Sequence, residues 1–262
     1  MAQAGSIFLM YHELELPGRP LVQSQAGYVR YVLRTSDFRA QMELLNGAGW
    51  RGRSVSQTLA SSPQPGVAIT FDDGCATDLL AAAPILQELR FGATFYVTAG
   101  LLGRPGYLSD AQLRELAGLG FEIGCHSMTH AYLSDLDAAR LRCEIVDAKT
   151  RLEQILGGPV EHFSCPGGRY DPRAVEVARN AGYRTLATSR IQANGKSTDA
   201  FALGRVAILR DTDSATFWKT CQGRGLEWLK LRQTLRDAFR KMLGNSVYDR
   251  VRDKLLDRND PL

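Results

Sequence analysis

The sequence predicts an α/β fold in which helices surround a parallel sheet or barrel. Two observations support this class. Segments typical of strands and of helices alternate along the chain, and the motifs that carry reactive side chains follow strands directly. In parallel α/β folds the chemistry gathers at the carboxyl ends of the strands. The 262 residues suit one large domain, or one domain with an appendage, of ordinary globular composition.

Strands are predicted where short apolar or β-branched runs end at polar or turn-forming residues. The run 67–71 is the clearest, because it leads straight into two carboxylates and a glycine. In chain order the predicted strands are 7–11, 67–71, 93–97, 121–123, 162–164, 183–187 and 202–209.

Helices are predicted where apolar residues recur at helical spacing between start and stop residues. Ser109 is the expected cap of one helix, which ends at Gly118, and Pro84 interrupts another. The predicted helices are 36–47, 79–89, 110–118, 134–156 and 172–181.

A barrel domain is predicted over residues 1–222, and a basic amphipathic helical tail over 223–262. From Gly223 onward ten basic and six acidic residues occur, so the tail carries the whole net charge of +4 and the rest is neutral, which argues against a nucleic-acid-binding domain. The sequence leaves open a helical hairpin packed on the barrel or on a second subunit, or a patch at an anionic membrane surface. The tail has two helical stripes, formed by Trp228, Leu231, Leu235, Phe239 and Met242 and by Val247, Val251 and Leu255.

The compartment is predicted from the N-terminus and the cysteines. Residues 1–6 contain no basic residue, and the apolar run 7–11 is too short for a signal peptide or a membrane span. The five cysteines have no paired spacing, which indicates free thiols in a reducing compartment. We therefore expect a cytoplasmic protein, with peripheral membrane contact through the tail as one interpretation.

Two motifs at predicted strand ends carry the chemistry. Strand 67–71 is followed by Asp72 and Asp73, and adjacent carboxylates that leave water together need a cation to offset their repulsion. A later strand is followed by His126 and His130, two of the four histidines in the chain. One carboxylate and two imidazoles form a 2-His-1-carboxylate metal site with positions open for water.

The motif TFDDG followed by HSMTH resembles the polysaccharide deacetylases of carbohydrate esterase family 4. The resemblance implies a distorted (β/α) barrel of about seven parallel strands, to which the tail adds a C-terminal helical appendage. It also implies that Asp72 is the catalytic base and that Asp73, His126 and His130 bind one divalent metal ion. Zinc is the expected ion, although cobalt, nickel, manganese and iron suit the same ligands.

A third segment, SCPGG, follows the strand at 162–164 and departs from the family pattern, which is usually Arg-x-Pro-aromatic-Gly. The resemblance implies that the residue after the proline, here Gly167, donates its N–H to the oxyanion. Ser164 stands where the family has the arginine that holds the base. Arg205 is a hypothesis for its replacement, paired with Asp72, and a surface location for Arg205 is the alternative.

The general acid is predicted at the start of the chain. The family usually has a histidine in a C-terminal Leu-x-His motif, and the matching segment here, AILRD, has none. The strand that ends at His12 resembles the first strand of a permuted branch, the poly-N-acetylglucosamine deacetylases of bacterial exopolysaccharides. The resemblance implies that His12 protonates the departing amine, with a structural histidine as the alternative. His162 has no assigned partner and is predicted to be structural.

These assignments predict a metal-dependent hydrolase that removes N-acetyl groups from amino-sugar units of a polysaccharide or of an envelope glycan precursor. Two other functions stay open. The missing arginine and the missing C-terminal histidine suggest a non-catalytic carbohydrate- or metal-binding module, and the third function is deacylation of a small non-sugar amide. A long groove would favour a polymer, whereas a closed pocket would favour a small amide.

Overall fold

The computed structural model of the protein describes residues 5–60 and 66–243, with side chains as far as residue 234. Strands and helices alternate as the sequence predicts. The strands are β1 (Ile7–Tyr11), β2 (Leu14–Glu15), β3 (Leu33–Arg34), β4 (Arg51–Arg53), β5 (Gly66–Phe71), β6 (Thr94–Val97), β7 (Glu122–Cys125), β8 (His162–Ser164), β9 (Thr185–Ala187) and β10 (Val206–Ala207). The helices are α1 (Ala26–Val29), α2 (Thr35–Gly47), α3 (Val55–Ala60), α4 (Ala83–Glu88), α5 (Asp110–Gly118), α6 (Ala138–Arg142), α7 (Ala148–Leu156), α8 (Pro172–Asn180), α9 (Ser214–Cys221) and α10 (Leu226–Leu243).

One parallel sheet forms the centre of the molecule. Its path runs β10-β1-β5-β6-β7-β8-β9, and β4 pairs with the start of β5. The seven strands of this path curl into a distorted barrel, which confirms the predicted fold class. A bridge between Ala187 and Leu203 links the two ends of the path, because Leu203 leads into β10. Since the strands are parallel, their carboxyl ends lie together at one edge of the barrel.

Aromatic rings hold the first strands of the path against α2. Tyr11 of β1 stacks on Phe71 of β5 with ring centroids 5.2 Å apart, and Phe71 stacks on Phe95 of β6 at 5.0 Å. Phe38 of α2 meets Tyr11 edge to face at 5.1 Å. All four rings are fully buried, and such rings bury about 150–250 Å² each, so they fix the strands that carry the first motif.

The helix that follows the HSMTH loop begins later than predicted. Position 134 lies in a short 3₁₀ turn, and Asp137 caps α6 by accepting a hydrogen bond from the Arg140 N–H at 2.8 Å. A π-helical segment, Cys143–Asp147, joins α6 to α7, and Gly157 ends α7 with a left-handed backbone. The predicted start at 134 is therefore wrong, because the capping carboxylate lies three residues further on.

Pro84 is accommodated without breaking its helix. A π-helical turn, Asp78–Ala82, precedes α4, and Pro84 lies in the first turn of α4. The residues before it are already helical, so the N–H that proline lacks is missing from the hydrogen-bond ladder where the π-helical turn passes into α4. The predicted helix over 79–89 is thus present, with a change of helix type just before the proline.

The shortest elements differ most from the sequence prediction. The last predicted strand, 202–209, is reduced to the two residues of β10, and 183–187 is reduced to the three residues of β9. The strands β2, β3 and β4 and the helix α9 were not predicted. A strand of two or three residues is too short to show an alternating pattern, so only its pairing with a neighbouring strand reveals it.

The tail begins as the predicted helix, α10, but it contacts the barrel through other residues than the predicted stripe. Leu226 is buried and Leu229 packs against the core, whereas Trp228 and Leu231 are 63% and 52% exposed. The side chains of the other stripe residues, and the whole second stripe, lie outside the described part. The domain boundary at residue 222 stays a prediction.

Two further observations concern the cysteines and the helices. All five cysteines are free thiols, and Cys75, Cys125, Cys165 and Cys221 are buried. Among the helices of the described residues, none combines the length and the apolar character needed to cross a membrane.

Candidate active site

Asp73, His126 and His130 converge at the carboxyl edge of the barrel. Asp73 follows β5, and the two histidines lie in the loop that follows β7, on the far side of β6. The Asp73 Oδ1 atom is 3.6 Å from His126 Nε2 and 3.4 Å from His130 Nε2. The three ligand atoms all lie within 4.8 Å of one another. The structure therefore brings together the metal ligands that the sequence predicts.

The donor set fits a divalent metal ion. Ligand atoms about 2.1 Å from a tetrahedral zinc ion lie roughly 3.4 Å from one another, close to the separations seen here. Asp73 Oδ1 is buried and has no hydrogen-bond partner among the described residues, which is costly for a carboxylate oxygen unless a cation binds it. His130 is 40% exposed, so one side of the cluster is open to solvent.

His126 has the tautomer that a metal ligand needs. Its Nδ1 lies 2.9 Å from the Ser164 carbonyl oxygen, which can only accept, so Nδ1 carries the proton and donates. Nε2 is then unprotonated and lies 3.6 Å from Asp73 Oδ1. Burial lowers the pKa of His126 to about 4, so the imidazole is neutral at neutral pH and can bind a cation.

Asp72 forms a buried, bidentate ion pair with Arg205. The Arg205 Nη1 and Nη2 atoms donate to Asp72 Oδ1 and Oδ2 at 2.7 and 2.8 Å. Arg205 is 1% exposed and Asp72 2%. The predicted approach of Arg205 to Asp72 is thus present, and the alternative of a surface arginine is wrong.

Three neighbours fix the Arg205 guanidinium in this position. Nη2 donates to Ser164 Oγ at 2.7 Å, Nε donates to the Thr188 carbonyl oxygen at 3.1 Å, and Nη1 lies 3.3 Å from Thr70 Oγ1. A small residue at 164 leaves the space that Arg205 fills from the opposite end of the sheet path. The sequence showed that Ser164 replaces an arginine, but it gave no signal for Thr70 or Thr188.

The ion pair decides the charge of Asp72. Burial alone raises the pKa of this carboxyl group, but the guanidinium of Arg205 beside it holds the pKa well below its usual value. Asp72 is therefore ionised at neutral pH, and both of its carboxylate oxygens accept hydrogen bonds from Arg205. It is 3.8 Å from His126 Nε2, next to the cluster and outside the three-ligand set.

His12 lies at the same edge, one strand away from the two aspartates. β1 and β5 pair so that Tyr11 is opposite Phe71, and the Asp72 N–H donates to the Tyr11 carbonyl oxygen at 3.0 Å. The Nδ1 atom of His12 is buried without a hydrogen bond among the described residues. Burial lowers its pKa, while the charges of Asp73 and Asp72 raise it in part. The ring of Tyr31, which the sequence did not indicate, is 4.9 Å away between centroids.

Gly167 occupies the turn Pro166–Gly168 directly after β8. Its φ of +58° lies in the left-handed region that favours glycine. A Cβ atom at this position would come within 2.9 Å of the Tyr132 ring, so the aromatic residue usual in the family does not fit this turn. Gly167 is exposed at the edge that carries Asp73 and His126.

His162 lies away from this cluster, at the amino end of β8. Its ring nitrogens are 2.7 Å from Ser56 Oγ and 2.8 Å from Thr185 Oγ1, and Glu122 is 3.4 Å away. These contacts join the amino ends of neighbouring strands, as expected of a structural histidine.

The fold and the cluster define an α/β-barrel protein with a candidate 2-His-1-Asp metal site at its carboxyl edge. Residues 60–186 match the model of a family described as polysaccharide deacetylase. The peptidoglycan-N-acetylglucosamine deacetylase of Bacillus cereus is 34% identical over 121 residues, which are 46% of this chain and 54% of the relative. Residues 60–186, just under half of the chain, thus match a polysaccharide deacetylase domain, and the features of the chain are consistent with carbohydrate esterase family 4.

Solved structures with this fold cover most of the chain. The deacetylase PplD of Streptococcus pyogenes has a TM-score of 0.74 at 21% identity and covers 84% of this chain and 99% of its own. IcaB from Ammonifex degensii has a TM-score of 0.68 at 24% identity and covers 84% and 97%. The matched segments span between about half and two thirds of the length of the curated relatives. The matched region 60–186 contains the metal cluster, whereas His12 and Arg205 lie outside it.

Replacing Arg205 by alanine should destabilise the protein strongly. The change leaves the carboxylate of Asp72 buried without its partner, which typically costs about 3–5 kcal/mol. Chemical denaturation, followed by circular dichroism, measures the loss. The control is Arg184→Ala, because the Arg184–Glu161 pair has a similar N–O distance of 3.0 Å but exposed side chains, and should contribute about 1 kcal/mol or less. Equal losses in the two variants would contradict the importance of the buried pair.

Proposed function

We propose that this protein is a metal-dependent hydrolase that removes N-acetyl groups from amino-sugar units of a polysaccharide or of an envelope glycan precursor. The observation that carries the proposal is the convergence of Asp73, His126 and His130 beside an aspartate, Asp72, that is ionised and paired with Arg205. The relative named as a peptidoglycan-N-acetylglucosamine deacetylase supports the choice of an acetylated amino sugar.

The openness of the site favours a glycan over a small amide. His130 is 40% exposed and Gly167 is exposed, so the described side chains leave the cluster accessible from one side. A site that closes around a small amide would bury most of its ligand. An accessible edge can instead admit one sugar unit of a longer chain.

Asp73, His126 and His130 would hold the metal ion, for which zinc is our choice among the divalent ions that suit such ligands. When bound there, a divalent ion lowers the pKa of a water molecule and polarises the acyl oxygen. The residues around it have to orient the water, the amide and the protons.

Asp72 is the proposed base that accepts the proton of the attacking water. Its pairing with Arg205 keeps it ionised and keeps both of its oxygens off the metal ligand set. The water oxygen adds to the acyl carbon, and the negative charge then develops on the acyl oxygen. The N–H of Gly167 is the proposed donor to that oxygen.

His12 is the proposed acid that gives a proton to the amine nitrogen as the C–N bond breaks. The products are acetate and a free amino sugar. The carboxylates of Asp72 and Asp73 favour the protonated form of the imidazole, which offsets part of the effect of burial.

The alternative of a non-catalytic module was suggested by the missing motif arginine and the missing C-terminal histidine. Arg205 and His12 are the candidates for these two roles. Arg205 holds Asp72 although the family motif has serine at 164. His12 lies on the strand next to Asp72 although the C-terminal segment has no histidine. A binding module would not need a second acid held beside the metal ligands.

The purified protein should contain about one divalent ion per chain, and His126→Ala should lose both the ion and acetate release from N-acetylated chito-oligosaccharides. The reason is that the variant lacks one of three ligands. Metal is measured by mass spectrometry after dialysis, and acetate by an enzymatic assay. His162→Gln is the control, because it changes a buried histidine at the other edge and should keep the ion. Absence of metal from the wild type, even after dialysis against zinc or cobalt, would favour the binding module.

Replacing His12 by alanine should lower turnover by about 10²–10⁴-fold, the usual contribution of a general acid, with the metal content unchanged. Both quantities are measured on one preparation. His162→Gln again serves as control, since its turnover per folded molecule should equal that of the wild type. Wild-type turnover in His12→Ala would leave His12 a structural histidine.

We also propose that the tail binds an anionic membrane surface. The described start of its apolar stripe, Trp228 and Leu231, is exposed on α10, and the tail holds the excess of basic residues. Aromatic and aliphatic side chains flanked by basic residues are typical of helices that lie in the membrane interface. The cytoplasmic location stays a prediction from the sequence.

Replacing both Trp228 and Leu231 by aspartate should weaken binding to vesicles that contain anionic lipid by at least about tenfold, because burial of each side chain is worth roughly 1.5–3 kcal/mol. Co-sedimentation with anionic and with neutral vesicles measures the effect. Leu119→Asp is the matched control, because Leu119 is 40% exposed on the barrel. Equal sedimentation of the two variants and the wild type would end the membrane proposal.

A further inference from the structure

The loop that carries both histidine ligands has a strained backbone. Ser127 and His130 have φ values of +71° and +65°, in the left-handed region that residues other than glycine rarely adopt. Each such residue costs on the order of 1–2 kcal/mol. The surrounding structure has to hold this conformation, because the strain would otherwise relax and displace the His130 side chain.

One side of the loop is held by β6 and the segment after it. The His126 N–H donates to the Val97 carbonyl oxygen at 2.8 Å, and the Ala99 and Gly100 N–H groups donate to the carbonyl oxygens of Ser127 and Met128 at 3.0 and 2.8 Å. These bonds continue the β6–β7 pairing and fix His126. None of these bonds uses an N–H group of Met128 or Thr129, at the tip of the loop.

The carboxylate of Glu144 binds the tip from the other side. Its Oε2 accepts hydrogen bonds from the Met128 and Thr129 N–H groups at 2.9 and 2.8 Å, and its Oε1 accepts from Thr129 Oγ1 at 2.6 Å. Glu144 is 6% exposed, and a buried carboxylate is tolerated when several donors satisfy it. All three of these donors belong to the loop between the two histidines.

Packing leaves a gap on this side of the loop, although Met128 packs against the core. A cavity of about 250 Å³ lies between the loop and the helix, and it is lined by Thr129, Ala131, Leu136, Arg140, Cys143 and Glu144. The loop therefore has room to move towards the helix if the hydrogen bonds are lost. Glu144 belongs to the π-helical segment between α6 and α7, and such segments are frequent at functional sites.

We propose that Glu144 is a positioning residue that holds the loop 126–130 in its metal-binding conformation. It acts through the backbone of Met128 and Thr129 on His130, and it makes no contact with the metal ion itself. Preorganisation of His130 raises metal affinity, because the ion does not have to order the loop on binding. This inference rests on the proposed metal site.

The test compares Glu144→Ala with Glu153→Ala. Glu153, on α7, also accepts a backbone N–H, from Val160 at 2.9 Å, and it pairs with Lys149, so its loss is a matched structural change away from the loop. Zinc affinity of the metal-free proteins is measured by competition with a chromophoric chelator. Hydrogen exchange of the peptide that spans residues 126–131 is measured by mass spectrometry in the absence of metal.

We expect Glu144→Ala to weaken zinc binding by about 10–100-fold and to speed amide exchange in the loop, with neither effect in Glu153→Ala. Glu144→Gln should retain most of the affinity, because one amide oxygen can still accept both N–H bonds. If Glu144→Ala does not fold, Glu144→Asp provides the same comparison, since the shorter side chain stays charged but lengthens the hydrogen bonds.

Wild-type zinc affinity in a folded Glu144→Ala or Glu144→Asp variant would overturn the inference and leave the proposed metal site intact. Equal weakening in Glu153→Ala would also overturn it, because the effect would then be a general loss of stability. Absence of zinc binding in the wild type would instead refute the metal site, and the role of Glu144 in metal binding with it.

Discussion

The buried ion pair of Arg205 and Asp72 is the interaction on which the rest of the site depends. Both side chains are almost completely buried, so neither charge is tolerable without the other. Asp72 follows β5, and Arg205 directly precedes β10, at the seam where the barrel closes. The same guanidinium donates to Ser164 of β8 and to Thr188 after β9. One side chain therefore spans the seam of the barrel and sets the charge of the proposed base.

The parts of the site that the sequence predicts are those that lie next to strand ends. Asp72 and Asp73 follow an apolar run, and His126 follows another, so the parallel arrangement alone predicts that they share an edge. His12 was predicted from the resemblance of its strand to that of the permuted branch, and the pairing of β1 with β5 brings it to the same edge. The class of fold followed from the alternation of elements, which does not depend on exact boundaries.

Other parts could be predicted only as one of two alternatives, or not at all, because they depend on contacts between distant segments. Arg205 and Asp72 are 133 positions apart, and nothing in the residues around Arg205 distinguishes an ion pair in the barrel from a surface arginine. The strands β2, β3 and β4 are too short to show a period. The π-helical segment that contains Glu144 has the same apolar spacing as an ordinary helix, so its contact with the loop is visible only in three dimensions.

Two adjacent aspartates acquire different properties because their partners differ. Each oxygen of Asp72 accepts one hydrogen bond from Arg205, so the negative charge of Asp72 is offset while a lone pair stays available on each oxygen. Asp73 has a left-handed backbone, and its buried Oδ1 has no partner among the described residues apart from the two imidazoles that face it. A divalent cation near the two carboxylates would therefore meet one free charge, that of Asp73. In this way Arg205 separates the roles proposed for the two aspartates, Asp73 as the metal ligand and Asp72 as the base.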